Sequence, residues 1–284
     1  MKKLDTHQHL LYPQSFAYSW VRDFPELQDS FTLEGYHEAA KGCEIERTLF
    51  MEVDVDPGQH VQESKFFTKY FEEHSNGIVG VIAKCLPESS DFIREIEIIQ
   101  NSALKGIRRV LHTQPDELSQ SKTFRRNVAA LANYGLSFDL CVTQQQLAIG
   151  RDLVRACPEV SFVLDHCGVP NIIEHSSIEC ESWQQWQSGI HALAKEPNVA
   201  CKFSGISAYG TDEQRDVDSL RPYLAEILEA FGPERVVWGS DWPVCNLADG
   251  LFCWSQITDQ LLGELSVDEQ VAIAFRNAER IYKV

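Results

Sequence analysis

The stretch Lys3-Leu-Asp-Thr-His-Gln-His-Leu10 forms the first apolar run of the chain and carries two histidines near its end. Side chains two positions apart in a β-strand point to the same side, so His7 and His9 are expected to face one way, together with Asp5. Two neighbouring imidazoles can share a divalent cation or hold one substrate group. A histidine pair can also lie on an ordinary polar strand face, and the rest of the chain decides between these two interpretations.

A second apolar run lies far along the chain and ends in a carboxylate. It reads Arg235-Val-Val-Trp-Gly-Ser-Asp-Trp-Pro243, with Asp241 just beyond its apolar part. A histidine pair and an aspartate, each at the carboxyl end of a buried strand, indicate a ring of strands that closes on one site. This arrangement favours the interpretation of His7 and His9 as site residues.

Short apolar, β-branched runs recur along the whole chain, as expected of strands that are buried on both faces. There are eight of them: Lys3–Leu10, Ile45–Glu52, Gly77–Lys84, Leu104–Leu111, Leu136–Val142, Val160–His166, Asn198–Gly205 and Arg235–Ser240. Amphipathic helical stretches separate them, such as Ser182–Lys195 and Ser219–Phe231. Eight strands that alternate with helices over about 250 residues predict a single (β/α)₈ TIM barrel. One such α/β domain would span residues 1–284.

The competing α/β architecture is an open, doubly wound sheet. That fold needs a glycine-rich phosphate turn after its first strand, and the first turn here reads His7-Gln-His-Leu-Leu-Tyr-Pro13. The barrel is therefore favoured. The longest connections are expected after strand 1, at Leu11–Thr32, and after strand 6, at Gly168–Glu181. In a barrel these loops cover the catalytic face, so each is a candidate lid or pocket wall.

The composition is that of a globular protein and limits the classes of partner. Hydrophobic residues make up 44% of the chain and charged residues 24%. The formal net charge of −17 argues against binding to nucleic acid or to anionic membranes. It does not exclude a small-molecule substrate, even an anionic one, because a local basic cluster can reverse the field in a pocket. No run approaches the roughly 18 apolar residues of a membrane span. The nine cysteines are scattered singly and form no paired motif, which predicts reduced thiols and therefore a protein of the cytoplasm. Homo-oligomerisation stays open.

Ionisable residues cluster at the predicted carboxyl ends of the strands, where active sites of barrels are built. They are His7, His9, Glu52, Arg108, Arg109, Asp165, His166, Lys202 and Asp241. Buried strand ends are costly places for so many polar groups without partners. We therefore expect these side chains to converge on one site.

The sequences Asp5-Thr-His-Gln-His9 and Trp238-Gly-Ser-Asp-Trp-Pro243 resemble the motifs of the amidohydrolase superfamily. Further segments carry the resemblance in the expected order: Gly106-Ile-Arg-Arg-Val110, Phe138-Asp-Leu140, Leu164-Asp-His-Cys-Gly168 and Lys202-Phe-Ser-Gly205. The chain looks closest to the amidohydrolase family 2 branch of TIM-barrel lactonases, which includes sugar-lactone lactonases and 2-pyrone-4,6-dicarboxylate lactonase. The resemblance implies a hydrolase that opens a small lactone, in first place that of a sugar acid.

The resemblance and the residue types together predict one divalent metal, in first place Zn²⁺, held by His7, His9 and Asp241. Asp241 is also the predicted general base for the attacking water. His166 is expected either as a third ligand or as a hydrogen-bond donor to the carbonyl oxygen. Many members of the superfamily that the chain resembles supply a further ligand, a carboxylated lysine or a histidine, from strand 4 or 5. The strand Leu136–Val142 carries neither residue, so a second metal is not expected. Metal-independent polarisation of the carbonyl by the histidines stays an alternative.

Two cationic side chains are predicted to bind substrate. Arg108 and Arg109 alternate in direction, and Arg108 is favoured as the one that faces the barrel interior. Lys202 is expected either to bind substrate oxygens or to neutralise an internal aspartate. Two other functions stay open. Related barrels decarboxylate aromatic acids, usually with a histidine from strand 5 that this chain lacks, and a catalytically silent barrel could serve binding alone.

Overall fold

In the computed structural model, which describes residues 1–73 and 77–284, eight parallel strands form one sheet in sequence order. They are β1 (Lys3–Gln8), β2 (Ile45–Met51), β3 (Ile78–Lys84), β4 (Leu104–Val110), β5 (Ser137–Cys141), β6 (Phe162–Leu164), β7 (Val199–Phe203) and β8 (Val236–Trp238). Each strand lies within one of the eight apolar runs, so the predicted strand set is confirmed.

The two edges of the sheet meet just beyond β8. Gln8 forms a parallel bridge with Trp242. The Asp241 N–H donates to the His7 carbonyl at 2.8 Å, and the His9 N–H donates to the Trp242 carbonyl at 2.7 Å. These bonds close the sheet into the predicted (β/α)₈ TIM barrel.

The helices lie between successive strands and, for the last three, after β8. The α-helices are α1 (Leu33–Ala39), α2 (His60–Glu73), α3 (Phe92–Ile99), α4 (Glu117–Gln120), α5 (Lys122–Ala130), α6 (Leu147–Ala156), α7 (Glu181–Ala194), α8 (Val217–Phe231), α9 (Gly250–Gly263), α10 (Val267–Val271) and α11 (Asn277–Tyr282). A π-helical turn, Ala272–Arg276, joins α10 to α11. In the described ranges, no helix has both the length and the apolar character that crossing a bilayer requires.

Single 3₁₀ turns occupy many of the connections: Ser19–Asp23, Pro25–Leu27, Leu131–Tyr134, Gln144–Gln146, Asp165–Gly168, Ile172–Glu174, Ile206–Tyr209, Asp212–Gln214, Pro233–Arg235 and Val244–Leu247. The loop after β1 is pinned by two backbone hydrogen bonds of 3.0 Å between Leu11 and Phe31. In the loop after β6, the Gln144 carboxamide oxygen accepts from the Asn171 N–H at 3.0 Å. Both loops are therefore tied to the barrel at the carboxyl ends of the strands.

The core has two parts. The larger lies between the sheet and the surrounding helices. The smaller joins residues of the strands to the C-terminal helix and comprises Leu4, Leu49, Met51, Ile82, Val163, Val237, Ala278 and Tyr282. Because Ala278 and Tyr282 belong to α11, this helix closes the floor of the barrel. The ionisable side chains of the predicted site lie above that floor.

Candidate active site

β1 presents its two histidines on the same side. The ring centroids of His7 and His9 are 4.8 Å apart in an edge-to-face arrangement. Both are buried, with exposed fractions of 0% and 5%. Nδ1 of His9 lies 3.0 Å from the Met51 carbonyl oxygen, which can only accept a hydrogen bond. In a neutral His9, Nδ1 therefore carries the proton and Nε2 presents its lone pair.

Asp5 does not join the histidines, so the alternation rule is wrong at this position. The pairing of β1 with β2 shifts register between Asp5 and Gln8, which breaks strict alternation just before His7. The Asp5 carboxylate instead accepts from the Tyr36 hydroxyl at 2.7 Å and from the Ser240 N–H at 2.8 Å. Asp5 thus ties β1 to α1 and to the segment after β8.

Asp241 lies beside both histidines. Its Oδ1 is 3.5 Å from His7 Nε2 and 3.3 Å from His9 Nε2. The residue adopts a left-handed backbone conformation, with φ of 58°, which costs roughly 1 kcal/mol for a non-glycine residue. Its Oδ2 is buried and has no hydrogen-bond partner within the described residues. Oδ1 therefore faces the imidazoles of His7 and His9, and Oδ2 can accept a hydrogen bond or a proton.

His166 completes the group from the turn after β6. It also has a left-handed backbone, with φ of 50°. Its ring centroid lies 4.5 Å from that of His7, and its Nδ1 is 2.9 Å from Ser204 Oγ and 3.9 Å from Asp241 Oδ2. Burial lowers the pKa of His166, against the raising effect of Asp241, so the imidazole is neutral at pH 7. It can act as a ligand or as a hydrogen-bond donor.

The space between Asp241 and His166 exists because position 205 is glycine. A Cβ added to Gly205 would lie 2.5 Å from Asp241 Oδ2 and 2.6 Å from His166 Nδ1. Gly205 also has φ of +65°, which side chains rarely tolerate. No role was predicted for Gly205 from the sequence. The signal that was available is its place at the end of Lys202-Phe-Ser-Gly205, directly after β7.

This group of side chains fits a divalent cation. One ligand atom from each of His7, His166 and Asp241 lies within 4.8 Å of the other two. The lone pair of His9 Nε2 also faces Asp241 Oδ1, so two acceptors oppose each other unless a proton or a metal ion lies between them. Imidazole nitrogens and a carboxylate oxygen are the donor set of zinc and similar metals.

Lys202 lies fully buried beneath His7. Its Nζ is 2.7 Å from Asp139 Oδ2, 2.9 Å from Asp165 Oδ1 and 3.1 Å from His7 Nδ1. Two roles were predicted for Lys202, and these contacts with Asp139 and Asp165 are those of the role in which it neutralises internal aspartates. A contact with substrate stays a prediction.

The charges in this layer determine the protonation of His7. Burial opposes the Lys202 ammonium, but Asp139 and Asp165 raise its pKa above the ordinary value. Burial also opposes ionisation of Asp165, yet Lys202 and His7 hold the pKa of that carboxyl well below its usual range. Burial raises the pKa of Asp139 to about 6, although Lys202 lowers it. Burial and then Lys202 lower the pKa of His7 well below its ordinary value, so this imidazole is neutral.

Arg108 points into the barrel, whereas Arg109 points outward and pairs with Glu88 at 2.8 Å. The Arg108 Nε donates to Glu52 Oε1 at 2.5 Å, and its Nη2 donates to the Glu52 carbonyl at 2.8 Å. Its Nη1 lies 3.2 Å from His7 Nε2. Arg108 is thus beside the predicted site, and its contact with substrate stays a prediction. The sequence did not indicate its pairing with Glu52.

Further side chains from the carboxyl ends of the strands surround this group. His112, which follows β4, has its Nδ1 3.1 Å from Cys141 Sγ at the end of β5. Burial lowers the pKa of His112 to about 4. The ring of Tyr209, after β7, lies 6.4 Å from that of His166. Neither Cys141 nor Tyr209 was predicted from the sequence to lie here, although Cys141 shares the parity of the inward-facing Asp139.

A separate cavity of about 270 Å³ lies at the amino ends of β7 and β8. Arg235 lines it, and its guanidinium donates to the carbonyls of Ala194 at 2.9 Å and Phe231 at 3.1 Å. These are the last residues of α7 and α8, so Arg235 caps two helix ends. None of the predicted site residues lines this cavity.

Comparisons with known proteins agree with this architecture. A family model described as Amidohydrolase matches residues 4–284. An uncharacterized protein of Sinorhizobium fredii, y4mH, is 27% identical over an aligned length of 302 residues. The alignment covers 99% of this chain and 98% of that protein. L-fucono-1,5-lactonase of Burkholderia ambifaria is 24% identical over 294 residues, with 99% and 96% coverage. An amidohydrolase of Burkholderia multivorans, solved with bound zinc, shares the fold with a TM-score of 0.89, 23% identity and complete coverage of both chains.

Proposed function

Because this chain belongs to the amidohydrolase family, we propose that it is a lactonase that hydrolyses a small lactone of a sugar acid. The observation that carries the proposal is the Asp241 carboxylate, which has a buried, unpartnered Oδ2 in the described structure and lies beside His7, His9 and His166. A proton acceptor that lies beside imidazoles suits the attack of water on an ester carbonyl. The relative named as an L-fucono-1,5-lactonase supports the same class of reaction.

Asp241 is the general base in this proposal. Its Oδ2 accepts a proton from water as the water oxygen attacks the lactone carbonyl carbon, and the proton then passes to the ring oxygen as the C–O bond breaks. The gap left by Gly205 keeps Oδ2 accessible to that water. His166 donates from Nε2 to the developing oxyanion when the Ser204 hydroxyl donates to its Nδ1.

The proposed cofactor is one divalent metal, in first place Zn²⁺, held by His7, His9 and Asp241. A metal held there would polarise the carbonyl and lower the pKa of a bound water. Arg108 is proposed to hold a lactone oxygen through Nη1. Lys202 is proposed to act through its contact with His7, because its positive charge helps to keep that imidazole neutral. The same histidines polarise the carbonyl directly if the reaction proceeds without metal.

The proposed setting is carbohydrate metabolism in the cytoplasm, with residues 1–284 acting as one catalytic domain. All nine cysteines are free thiols in the structure, which supports a reducing compartment. A homo-oligomer is compatible with this proposal and is decided by measuring the mass in solution.

A panel of five- and six-membered aldonolactones, followed by a pH indicator, tests the proposal. The expected result is acid release from at least one lactone, with Asp241→Asn as the inactive control. A parallel panel of aromatic acids, followed by CO₂ release, covers the decarboxylase alternative. Release of CO₂ without lactone hydrolysis would assign the chain to that class. Inactivity of the folded protein on both panels would favour a binding barrel.

A further inference from the structure

His7 Nε2 has two close neighbours. Arg108 Nη1 lies 3.2 Å from this nitrogen, and Asp241 Oδ1 lies 3.5 Å from it. The Arg108 guanidinium and the Lys202 ammonium can only donate hydrogen bonds, and Lys202 Nζ lies 3.1 Å from His7 Nδ1, so each ring nitrogen of His7 faces a cationic donor. A metal ion beside Asp241 would need the Nε2 lone pair.

Arg108 is fixed in this position. Two of its nitrogens donate to the carboxylate and the carbonyl of Glu52, and its Nη1 also lies 3.7 Å from Asp165 Oδ2. Only 5% of the residue is exposed, so few alternative positions are open to the guanidinium. Its positive charge is permanent, because an arginine does not deprotonate in proteins.

We propose that Arg108 is a built-in cation that competes with the divalent metal for His7 Nε2, so that the metal binds weakly and reversibly. The hydrogen bond from Nη1 to Nε2 must break before the metal can bind, and two positive charges then share one buried imidazole. The inference rests on the metal site of the proposed function but not on lactone hydrolysis. Metal affinity and lactone turnover can therefore fail independently.

The test measures Zn²⁺ affinity of the metal-free protein by competition with a chromogenic chelator. Arg108→Met removes the competing charge, and we expect Zn²⁺ to bind at least about tenfold more tightly than to wild type. Arg109→Met is the matched control, because the neighbouring arginine pairs with Glu88 outside the barrel. Its Zn²⁺ affinity should equal that of wild type.

Arg108→Met leaves Glu52 buried without its partner, which can destabilise the fold or attract the cation directly. The double variant Glu52→Gln/Arg108→Met removes both charges and should retain most of the gain in affinity. Zn²⁺ binding no tighter than wild type in the folded variants would overturn the proposal. So would a gain that is present in the single variant and absent in the double.

Imidazole ¹⁵N NMR of the metal-free wild type tests the same point without a substitution. The proposal requires Arg108, and not Lys202, to donate to the neutral His7 ring. His7 should therefore carry its proton on Nδ1 and show an unprotonated Nε2, and Zn²⁺ should shift the Nε2 resonance only at high concentration. A proton on Nε2 in the metal-free protein would contradict the hydrogen bond from Arg108 and, with it, the proposal.

Discussion

At the residue scale, the proposed chemistry depends on one oxygen atom of Asp241. Asp241→Asn keeps the shape of the side chain and removes the proton acceptor, and general-base catalysis is worth on the order of 10²–10⁴ in rate. We expect kcat for the best lactone to fall by at least about 10², with little change in melting temperature. Steady-state kinetics and thermal melts measure both. A variant with near wild-type kcat would remove Asp241 from the mechanism.

Gly205 provides a second prediction, because its missing side chain leaves the space at Asp241 Oδ2. Gly205→Ala should lower both metal affinity and kcat, since the new Cβ would lie 2.5 Å from that oxygen. Gly135→Ala is the control: φ is a similar +66°, and a Cβ there meets only Lys283 Nζ, at 3.5 Å. Each change should cost roughly 1 kcal/mol of stability through backbone strain. Equal activity and metal affinity in the two variants would contradict this role.

Single residues also show how far the sequence could predict the site. The types and strand-end positions of His7, His9, His166 and Asp241 were sufficient to bring them together, because the fold places all such ends at one rim. The sequence did not predict that Arg108 would be bonded to Glu52. Such a pairing depends on side-chain reach across the barrel and not on position within a strand.

At the scale of elements, α2 contributes a buried carboxyl that predicts a pH dependence of stability. Glu63 Oε1 accepts from the Val53 N–H at 3.2 Å, and Oε2 has no partner in the described residues. Burial, and then the neighbouring Glu52, raise the pKa of Glu63 well above its ordinary value of 4.5. The folded state therefore holds this proton more tightly than the unfolded state, and the free energy of unfolding falls as pH rises above about 4.5.

Glu63→Gln keeps the shape of the side chain but cannot ionise. We expect the variant to gain stability over wild type at pH of about 8 and to match it more closely near about 5. Urea unfolding at the two pH values measures the difference. The opposite trend, with the variant losing stability as pH rises, would show that the Glu63 carboxylate is stabilised in the fold.

The strands were predictable as elements because an apolar run buried on both faces leaves few other interpretations. Their ends were not. The run Val160–His166 contains a strand of only three residues, Phe162–Leu164, followed by a turn in which His166 and Cys167 have positive φ. The register shift in β1 could not be predicted from the sequence either. Both depend on hydrogen bonds to neighbouring strands, which sequence periodicity does not encode.

At the scale of the whole molecule, the closed barrel places the histidines of β1 beside Asp241, which follows β8. Metal removal tests whether this group of side chains holds a metal ion that the reaction needs. Purified protein should hold at most about one metal ion per chain, since the fitting ligands form a single cluster in the described residues. Prolonged chelation should lower activity, and Zn²⁺ or Mn²⁺ should restore it. Elemental analysis beside the lactone assay measures both. Full activity after verified metal removal would indicate polarisation of the carbonyl by the histidines alone.

The hydrogen bonds that close the barrel join the same residues that form the proposed site, since Asp241 donates to the His7 carbonyl and His9 donates to the Trp242 carbonyl. During synthesis on the ribosome, the histidines emerge long before their carboxylate. A nascent or truncated product that stops short of β8 would carry the imidazoles without the base. Catalytic activity would then arise only when β8 and Asp241 join the barrel, and incomplete chains would not hydrolyse substrate.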